Sequence, residues 1–493
     1  MNRLLAPIAW SWPILFPALA LGQTPPSYGV ELLGAAHGLV GLNAAGQVVG
    51  TDPLPPVNER AWVAGPGLPL TSLPLPPGRI SSRAYDINDL GLIAGTVSSA
   101  SYADPSFGAV AAVWTPDGSG GYTVQEYGTL SGDIGSAATA LNDLGDLVGF
   151  SQGGMFRRAV WFNSPTGILD LTPTGAFDPK DINEQRVVVC YSTHCSRLYL
   201  DTMVLEDLGV PPGSYIGTLG GAINESNQVS GVAILATGTS CDRQAARYTD
   251  GGGWQLFGGC GPNNGTGNLN EQGDLTMWLN TSAYVYFEGI GLYPTESLID
   301  APLGHWYLGV LATGLINDAR QIAIFGQNPG TGQSGILLLT PITYVGTGMC
   351  AGDGLAAPCP CGNESGVGQF EGCENSTGSG ARLLGTGSAS VVADDLVLHV
   401  SQGPAYQMAL LFQGGVGGTL PFYDGLRCAS HPIQRLQVLS LDAAGSGQSS
   451  VSIVTRGQVL PGMTRVYQAW YRDPAGPCGT GANLSAALQI TWF

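Results

Sequence analysis

The amino-acid sequence predicts an all-β protein, in which a seven-bladed β-propeller closed by its amino-terminal strand precedes a disulfide-braced β-sandwich. Three observations lead to this prediction: a motif that occurs seven times, short apolar runs between turn residues without helical periodicity, and a higher cysteine density after residue 346. We therefore divide the chain into a signal peptide at 1–22, a propeller at 23–345 and a Cys-rich sandwich at 346–493.

The repeated motif is an asparagine that follows an apolar residue and opens a short turn, as in ALNDLGDLVG at 140–149. The repeat asparagines are Asn43, Asn88, Asn142, Asn183, Asn224, Asn270 and Asn317. Successive copies are 45, 54, 41, 41, 46 and 47 residues apart, and a period in the mid-forties is typical of one four-stranded propeller blade. Asparagine and glycine tolerate the left-handed backbone of tight turns, so each copy predicts a turn between two antiparallel strands.

Two more strands follow the turn in most copies, and the third begins near an aromatic residue such as Trp62, Trp114 or Trp161. The last copy has no clear fourth strand, whereas an unmatched strand of that type at 28–33 precedes the first copy. We expect this amino-terminal strand to pair with residues 336–339. Such pairing would close the ring and remove the free sheet edges at the junction.

The segments GTLSG at 128–132 and GTLGG at 217–221, each leading into the next Leu-Asn or Ile-Asn turn, resemble the bacterial extracellular HAF repeat. The resemblance covers about residues 28–340. The sequence departs from that repeat because Ala-Trp or Ala-Val-Trp replaces the family's histidine-containing strand, and because the turns at Asn183, Asn224 and Asn317 lack glycine. The resemblance implies secretion and a propeller-like array, without an established activity.

Charge and the amino terminus indicate an exported protein. The chain has 36 acidic and 18 basic residues, for a net charge of −18, which argues against nucleic acid as a partner because phosphate contacts need clustered basic side chains. Residues 1–22 combine Arg3, an apolar stretch and small residues before Gln23, as in a cleaved signal peptide. We expect no integral membrane segment after cleavage, a secreted or cell-surface location, and a monomer.

The ten cysteines of an exported chain predict disulfides. They are Cys190, Cys195, Cys241, Cys260, Cys350, Cys359, Cys361, Cys373, Cys428 and Cys478. Within the propeller we expect the local pairs Cys190–Cys195 and Cys241–Cys260. The six later cysteines allow many connectivities, among which we favour Cys428–Cys478.

The last third of the chain contains seven short apolar runs separated by turn residues, a pattern typical of a β-sandwich. The runs are 389–392, 396–400, 408–412, 436–441, 451–454, 466–471 and 488–493. The segments CPCGN at 359–363, DGLRC at 424–428 and YQAWYRDP at 467–474 resemble a carboxy-terminal domain of secreted bacterial proteins. That resemblance is compatible with anchoring, sorting or carbohydrate binding.

No sequence pattern indicates a catalytic residue, a metal ion or a cofactor. The NDLG turns at 88–91 and 142–145 lack the acidic ligands of a calcium loop. The CPC segment is interpreted as structural, the five histidines lack metal-ligand spacing, and no nucleophile elbow is present. These observations favour a protein without enzymatic activity.

The aromatic residues Tyr467, Trp470, Tyr471 and Trp492 form a late cluster. Strand alternation places Tyr467 and Tyr471 on one face and Trp470 on the other. If exposed, Tyr467 and Tyr471 would stack on sugar rings; otherwise they would pack in the core.

We therefore predict a secreted, non-catalytic binding or cell-surface interaction protein. Its extracellular ligand is unknown, with a glycan or an envelope protein as candidates, and we expect it at one mouth of the propeller channel. The alternative is a hydrolase or lyase that acts on extracellular polysaccharide through acidic residues in the funnel. Carboxylate pairs with raised pKa there would favour the enzyme.

Overall fold

A computed structural model describes residues 25–36, 38–54, 58–154, 156–236, 241–299, 306–308, 314–329, 332–367 and 370–493. The predicted signal peptide lies outside these residues. The chain forms two units, with a boundary between Thr340 and Pro341, a few residues before the predicted one at 345/346. Nearly all regular structure in the described ranges is β-strand. Within them, no helix has the length and apolar character needed to cross a membrane.

The first unit consists of antiparallel sheets, and each of sheets 1 to 6 contains four consecutive strands that correspond to one copy of the repeat. Before them comes β1 (Tyr28–Gly34). Sheets 1 to 3 contain β2 (Leu39–Leu42), β3 (Val48–Leu54), β4 (Asn58–Gly65), β5 (Leu68–Ser72); β6 (Ser81–Ile87), β7 (Ile93–Ser98), β8 (Val110–Pro116), β9 (Tyr122–Glu126); and β10 (Gly135–Leu141), β11 (Leu147–Gly153), β12 (Phe156–Ser164), β13 (Gly167–Asp170). Sheets 4 to 6 contain β14 (Phe177–Ile182), β15 (Val187–Tyr191), β16 (Cys195–Tyr199), β17 (Val204–Asp207); β18 (Tyr215–Ile223), β19 (Val229–Leu235), β20 (Arg243–Thr249), β21 (Gly253–Gly261); and β22 (Gly265–Leu269), β23 (Leu275–Leu279), β24 (Ser282–Phe287), β25 (Gly291–Pro294).

Sheet 7 is assembled from both ends of the unit. Its later strands are β26 (Tyr307–Leu308), β27 (Leu315–Ile316), β28 (Ile322–Gln327) and β29 (Ser334–Pro341). The strand order is β1-β29-β28-β26, with β27 also paired to β28. The amino-terminal strand therefore lies beside β29, as the sequence predicts, and covers an edge that would otherwise remain open.

The repeat asparagine occupies the turn between the first two strands of each sheet. In all seven turns, its Oδ1 accepts the backbone N–H of the residue four positions later, at 2.8–2.9 Å. The residue three positions after the asparagine has a positive φ in every copy. It is glycine in four copies and Arg186, Asn227 or Arg320 in the others, each with φ 58°. The turn geometry is therefore kept in the copies without glycine.

The seven asparagines form a closed hydrogen-bonded ring. Each side-chain Nδ2 donates to the backbone carbonyl of the asparagine in the next copy, at 2.9–3.2 Å. The last bond joins Asn317 to Asn43, which are 274 residues apart in sequence. All seven side chains are buried, so their polar groups are satisfied inside the protein.

Apolar clusters fill the spaces between neighbouring sheets of this unit. Successive side chains of a strand point to opposite faces, so each sheet contributes to the cluster on either side of it. The cluster between sheets 7 and 1 combines Ile336 and Leu338 with Val48 and Trp62. Apolar packing therefore continues from the last sheet to the first, in agreement with the asparagine ring.

The predicted disulfide between Cys190 and Cys195 is wrong, because both thiols are free and buried. In the register of β15 and β16, Cys190 lies opposite Ser196 and Cys195 lies opposite Tyr191. This one-residue offset directs the two thiols to opposite faces of sheet 4, where they join different apolar clusters. Cys241 and Cys260 form a disulfide, which is the other local pair that we expected.

The second unit contains two antiparallel sheets, in the orders β30-β38-β36-β33-β34, with β37 beside β36, and β31-β32-β35. Its elements are β30 (Thr347–Met349), β31 (Arg382–Thr386), β32 (Val397–Ser401), β33 (Met408–Phe422), β34 (Gly425–Ser440), β35 (Gly447–Gln448), α1 (Ile453–Gly457), β36 (Thr464–Asp473), β37 (Gly481–Leu484) and β38 (Ala487–Thr491). Both sheets contribute to one apolar core that includes Leu398 and Leu411.

Two predicted strands of this unit are wrong. Residues 389–392 lead into a turn, and 451–454 run into helix α1. The helix begins there because the Ser452 hydroxyl accepts the Thr455 N–H at 2.9 Å and so caps its first turn.

Three disulfides brace the second unit: Cys350–Cys428, Cys359–Cys373 and Cys361–Cys478. The predicted pair Cys428–Cys478 is therefore wrong. Cys428 lies on β34 with its Cα 6.2 Å from that of Cys350. Cys478 lies in the turn after β36, with its Cα 5.7 Å from that of Cys361. Order along the chain does not reveal these neighbours, because the sheet brings distant segments together.

Asn224→Ala tests the asparagine ring. The substitution removes the bonds of Asn224 to the Asn270 carbonyl and to the Gln228 backbone and side chain. Since an unpaired buried polar group costs about 1–3 kcal/mol, we expect the free energy of unfolding of the first unit to fall by about 2–4 kcal/mol in urea titrations. Asn263→Ala, at an exposed position, is the control and should change it by less than about 0.5 kcal/mol. Equal losses in the two variants would contradict a role for the ring.

Thiol counting tests the free cysteines. Burial raises the pKa of the Cys190 thiol to about 12 and also raises that of Cys195, so neither should react with a thiol reagent in the native protein. After denaturation without reductant, we expect two reactive thiols per chain, in accordance with the two free cysteines. A count of zero in the denatured protein would show that they are oxidised to each other.

Candidate functional site

The asparagine turns of the first unit bear a partial ring of carboxylates. The residue after the asparagine is acidic in six copies and Ala44 in the first. The acidic residues are Asp89, Asp143, Glu184, Glu225, Glu271 and Asp318. Each carboxylate accepts the backbone N–H of the equivalent residue in the preceding copy, at 2.6–2.8 Å. These acids therefore join neighbouring sheets in the same direction as the asparagine amides.

The pKa is raised for two of these carboxyl groups, Glu225 and Glu271. Partial burial raises the pKa of Glu225, and the negative charge of Glu271 raises it further. Partial burial likewise raises the pKa of Glu271, with a further contribution from Asp318. Like charges on these turns give this part of the surface a negative potential, although each carboxylate also has a structural hydrogen bond.

A second set of polar side chains lies two positions before the asparagine. These residues belong to the first strands of sheets 2, 4 and 6. Asp86 accepts the Leu141 N–H of the next sheet at 3.1 Å, and Asp181 accepts the Ile223 N–H at 2.8 Å. Asn268 accepts the Ile316 N–H in the same way, at 2.7 Å. These side chains join sheets 2 and 3, 4 and 5, and 6 and 7.

Asp86 and Asp181 are also the most perturbed acids of this unit. Burial raises the pKa of Asp181 to about 7. Burial raises the pKa of Asp86 well above its ordinary value, and the negative charge of Asp181 adds to the effect. The intervening sheet 3 has only Ala140 at the equivalent position. Raised pKa values are also found in catalytic acids, but each of these carboxyls already accepts a backbone N–H of the next sheet.

Two arginines at turn positions with positive φ join neighbouring copies by ion pairs. Arg186 Nε lies 2.8 Å from Asp146 Oδ2, and Arg320 Nε lies 2.7 Å from Asp274 Oδ2. Both aspartates are buried, so the pairs are partly shielded from solvent. The charged groups of these turns are thus largely engaged in joining neighbouring sheets.

The predicted ligand-binding residues Tyr467 and Tyr471 are wrong as a surface site. Both are fully buried in the core between the two sheets of the second unit. The Tyr467 hydroxyl accepts the Trp492 indole N–H at 2.9 Å, and the Tyr471 hydroxyl accepts the Asn375 amide at 3.2 Å. Neither ring can stack on a ligand without disruption of the core.

The opposite face of β36 carries a groove instead. Trp470 lies beside Leu410 of β33, which in turn lies beside Val438 of β34. Two adjoining hollows of about 670 and 340 Å³ share Leu410, Arg435 and Trp470 as lining residues. The groove runs across three strands of the larger sheet, and Val438 in its floor is 58% exposed.

Aromatic rings form one end of the groove. Tyr423 lies with its ring centre 6.0 Å from that of Trp470, and Phe422 lies 4.8 Å from Tyr423. The rings of Phe422 and Tyr423 are exposed; Phe422 is the last residue of β33, and Tyr423 follows it in the turn before β34. The indole Nε1 of Trp470 is buried and has no hydrogen-bond partner among the described residues, whereas a tryptophan N–H usually has one. This end of the groove therefore offers exposed aromatic ring faces.

Arginines surround the rest of the groove. They are Arg427, Arg435, Arg456 and Arg472. Arg472 follows Trp470 by two residues and so shares its face of β36. A register shift between β33 and β34 places Arg435 opposite Phe412, while Leu436 packs in the core. A β-bulge of this kind redirects side chains, and here it brings a guanidinium to the groove.

Sequence reasoning missed this groove, although one signal for it was present. The alternation in β36 separated Trp470 from Tyr467 and Tyr471, but it did not show which face the second sheet covers. The sequence also did not show that β34 adds Arg435 to the groove. That position depends on the bulge at Leu436 and on the pairing of β34 with β33.

No family model matches the chain, and no curated protein matches it. Among solved structures it is similar to YCF48 bound to a D1 peptide, at 13% identity and a TM-score of 0.35, over 65% of this chain and 99% of that one. It is similar to the extracellular domain of BT4673 from B. thetaiotaomicron at 13% identity and a TM-score of 0.38, over 77% and 46% of the two chains. A gluconolactonase, XC5397 from Xanthomonas campestris, has 12% identity and a TM-score of 0.22, over 61% and 70%. TM-scores this low support no conclusion about activity.

Asp181→Asn tests the raised pKa of Asp181. Asparagine should fit this position, because Asn268 occupies the equivalent one two sheets further on. The raised folded-state pKa of Asp181 means that its protonation favours the folded protein. The protonated carboxyl of Asp181 stabilises the folded protein fully below about pH 4. This stabilisation is lost as the pH rises through about 7. Relative to wild type, the variant should therefore gain stability as the pH rises from about 4 to about 7, by about 1.4 kcal/mol for each unit of pKa shift.

Urea unfolding of both proteins across this pH range measures the difference. The reverse substitution, Asn268→Asp, introduces a carboxyl at the equivalent position and should add a fall in stability with rising pH. Parallel stability profiles for wild type and Asp181→Asn would contradict the raised pKa.

Proposed function

We propose that the protein is an extracellular, non-catalytic glycan-binding protein. In this proposal the first unit is a seven-bladed β-propeller of HAF-type repeats that serves as a scaffold. The second unit is a disulfide-braced β-sandwich that binds the glycan in the groove beside Trp470. The proposal keeps the expected class of function but moves the ligand from the propeller mouth to the second unit.

The observation that carries the proposal is the state of Trp470. Its ring lines an open groove beside the exposed Tyr423 and Phe422, and its indole N–H has no partner among the described residues. Sugar rings present apolar C–H faces, so they can pack on such aromatic rings. An exposed apolar surface next to Met408 and Val438 also fits a binding site better than an ordinary monomer surface.

The disulfides support an extracellular location. Cysteines of the described ranges form four disulfides, three of which brace the second unit. Disulfides persist in oxidising compartments, and the amino-terminal 22 residues have the pattern of a signal peptide.

The hydrolase alternative has one specific observation in its favour, the raised pKa of Asp86 and Asp181. Raised pKa values are expected of a general acid. Both carboxyls, however, accept backbone N–H groups from a neighbouring sheet, and Asn268 makes the same inter-sheet bond without an acid. A structural role therefore accounts for this set, and we favour binding without catalysis.

Trp470→Ala tests the proposal. The full chain is applied to a panel of neutral and acidic polysaccharides, and bound ligands are quantified by titration calorimetry. Loss of an aromatic stacking partner costs about 1–3 kcal/mol for a nucleic-acid base, and a similar loss for a sugar ring would lower affinity by about tenfold. Phe493→Ala removes another exposed aromatic ring, outside the groove, and should leave affinity unchanged. Failure of the wild-type chain to bind any polysaccharide would refute the proposal.

A further inference from the structure

We infer that the glycan bound in this groove is acidic, a chain of sugar rings that carry carboxylate or sulfate groups. This inference rests on the proposed function and adds the charge of the ligand to it. It comes from the arginines of the second unit, their distribution and their partners.

The positive charge of the second unit is concentrated at the groove. The arginines of this unit, which has no lysine, are Arg382, Arg427, Arg435, Arg456, Arg465 and Arg472. Its acidic residues are Asp353, Glu364, Glu371, Glu374, Asp394, Asp395, Asp424, Asp442 and Asp473. Four of these arginines line the groove and none of these acids does. A unit with more acids than arginines therefore has a locally basic groove.

The groove arginines differ from most arginines of the first unit in their partners. In the second unit, Arg382 pairs with Glu371 at 3.0 Å. In the first unit, ion pairs are formed by Arg79, Arg83, Arg158, Arg186, Arg197, Arg247 and Arg320. None of the four groove arginines has a carboxylate partner within the described residues. Their guanidinium groups remain available, and a guanidinium binds a carboxylate or sulfate through two parallel N–H donors.

One groove arginine is positioned in a way that suits such a ligand. The Arg427 guanidinium carbon lies 5.4 Å from the centre of the Phe422 ring, which orients the side chain along the aromatic end of the groove. Its Nε is buried without a hydrogen-bond partner among the described residues. Because Nε is buried, an anion in the groove would be bound by the terminal N–H groups of this guanidinium.

The positions of cations and rings also match an acidic sugar. Arg435 borders both hollows, while Trp470 lies between Arg472 along its own strand and Leu410 on the next. A sugar ring packed on the indole would extend its substituents towards these guanidinium groups. A neutral glycan would pack on the aromatic rings but would offer no anionic group to the arginines. Charge complementarity therefore favours an acidic ligand.

Single-stranded nucleic acid also combines stacking rings with negative charge. The observations favour the glycan, because the whole chain has a net charge of −18 and a phosphate backbone needs extended positive surface beyond a single groove. Nucleic acid is therefore included as a competing outcome of the test.

The test measures binding of the full chain to four probes at low salt: an oligogalacturonate, a sulfated oligosaccharide, a neutral glucan oligosaccharide and a single-stranded oligonucleotide. We expect the carboxylated or the sulfated oligosaccharide to bind at least about tenfold more tightly than the neutral one, with affinity that falls as salt increases. Which of the two binds better identifies the anionic group.

Arg435→Gln and Arg472→Gln are the variants, and Arg465→Gln is the matched control. Arg465 belongs to the same strand as Arg472 and lies outside the groove lining. Loss of a charge-assisted hydrogen bond costs about 1.5–3 kcal/mol, so each groove variant should bind the acidic oligosaccharide about tenfold or more weakly. The control removes the same charge and should retain wild-type affinity.

The outcomes separate this inference from the proposed function. Preference for the neutral glucan, with a loss in Trp470→Ala but not in the arginine variants, would overturn the acidic ligand and retain glycan binding. Equal losses in Arg465→Gln and the groove variants would overturn the assignment to this groove. Binding of the oligonucleotide alone would overturn both.

Discussion

The first unit depends on a ring of buried asparagine side chains. Each amide uses Oδ1 to hold its own turn and Nδ2 to hold the turn of the next sheet. Aspartate lacks the donor and alanine lacks both groups, so few side chains can perform both tasks in one geometry. The bond from Asn317 to Asn43 then links the two ends of a long chain segment, and strand β1 adds a second link there.

Further inter-sheet contacts are built around that ring. The carboxylates that follow the asparagines accept N–H groups of the preceding copy, as the asparagine carbonyls do. Asp86, Asp181 and Asn268 add bonds between alternate pairs of sheets. A positive φ costs a residue with a side chain about 1–2 kcal/mol. At Arg186 and Arg320 an ion pair to a buried aspartate of the preceding copy offsets that cost. The acidic side chains of these turns and strands therefore have a structural role, because they bond to neighbouring sheets.

The second unit uses the two faces of one strand differently. On β36, Tyr467 and Tyr471 face the core between the sheets, while Trp470 faces the groove. The bulge in β34 adds Arg435 to that groove. Disulfides join distant segments of this unit to one another. Most arginines of the first unit form ion pairs with carboxylates, whereas the four groove arginines have no carboxylate partner among the described residues.

The sequence by itself determined the repeat period, the turn at each asparagine and the pairing of the amino-terminal strand with the last sheet. These features follow from local turn chemistry and from the count of strands per copy. Only the tertiary structure decided that Cys190 and Cys195 stay apart, that Cys428 pairs with Cys350, and that Trp470 rather than Tyr471 reaches the surface. Each depends on strand register or on which face another sheet covers, and a shift of one residue in register reverses the face of every side chain.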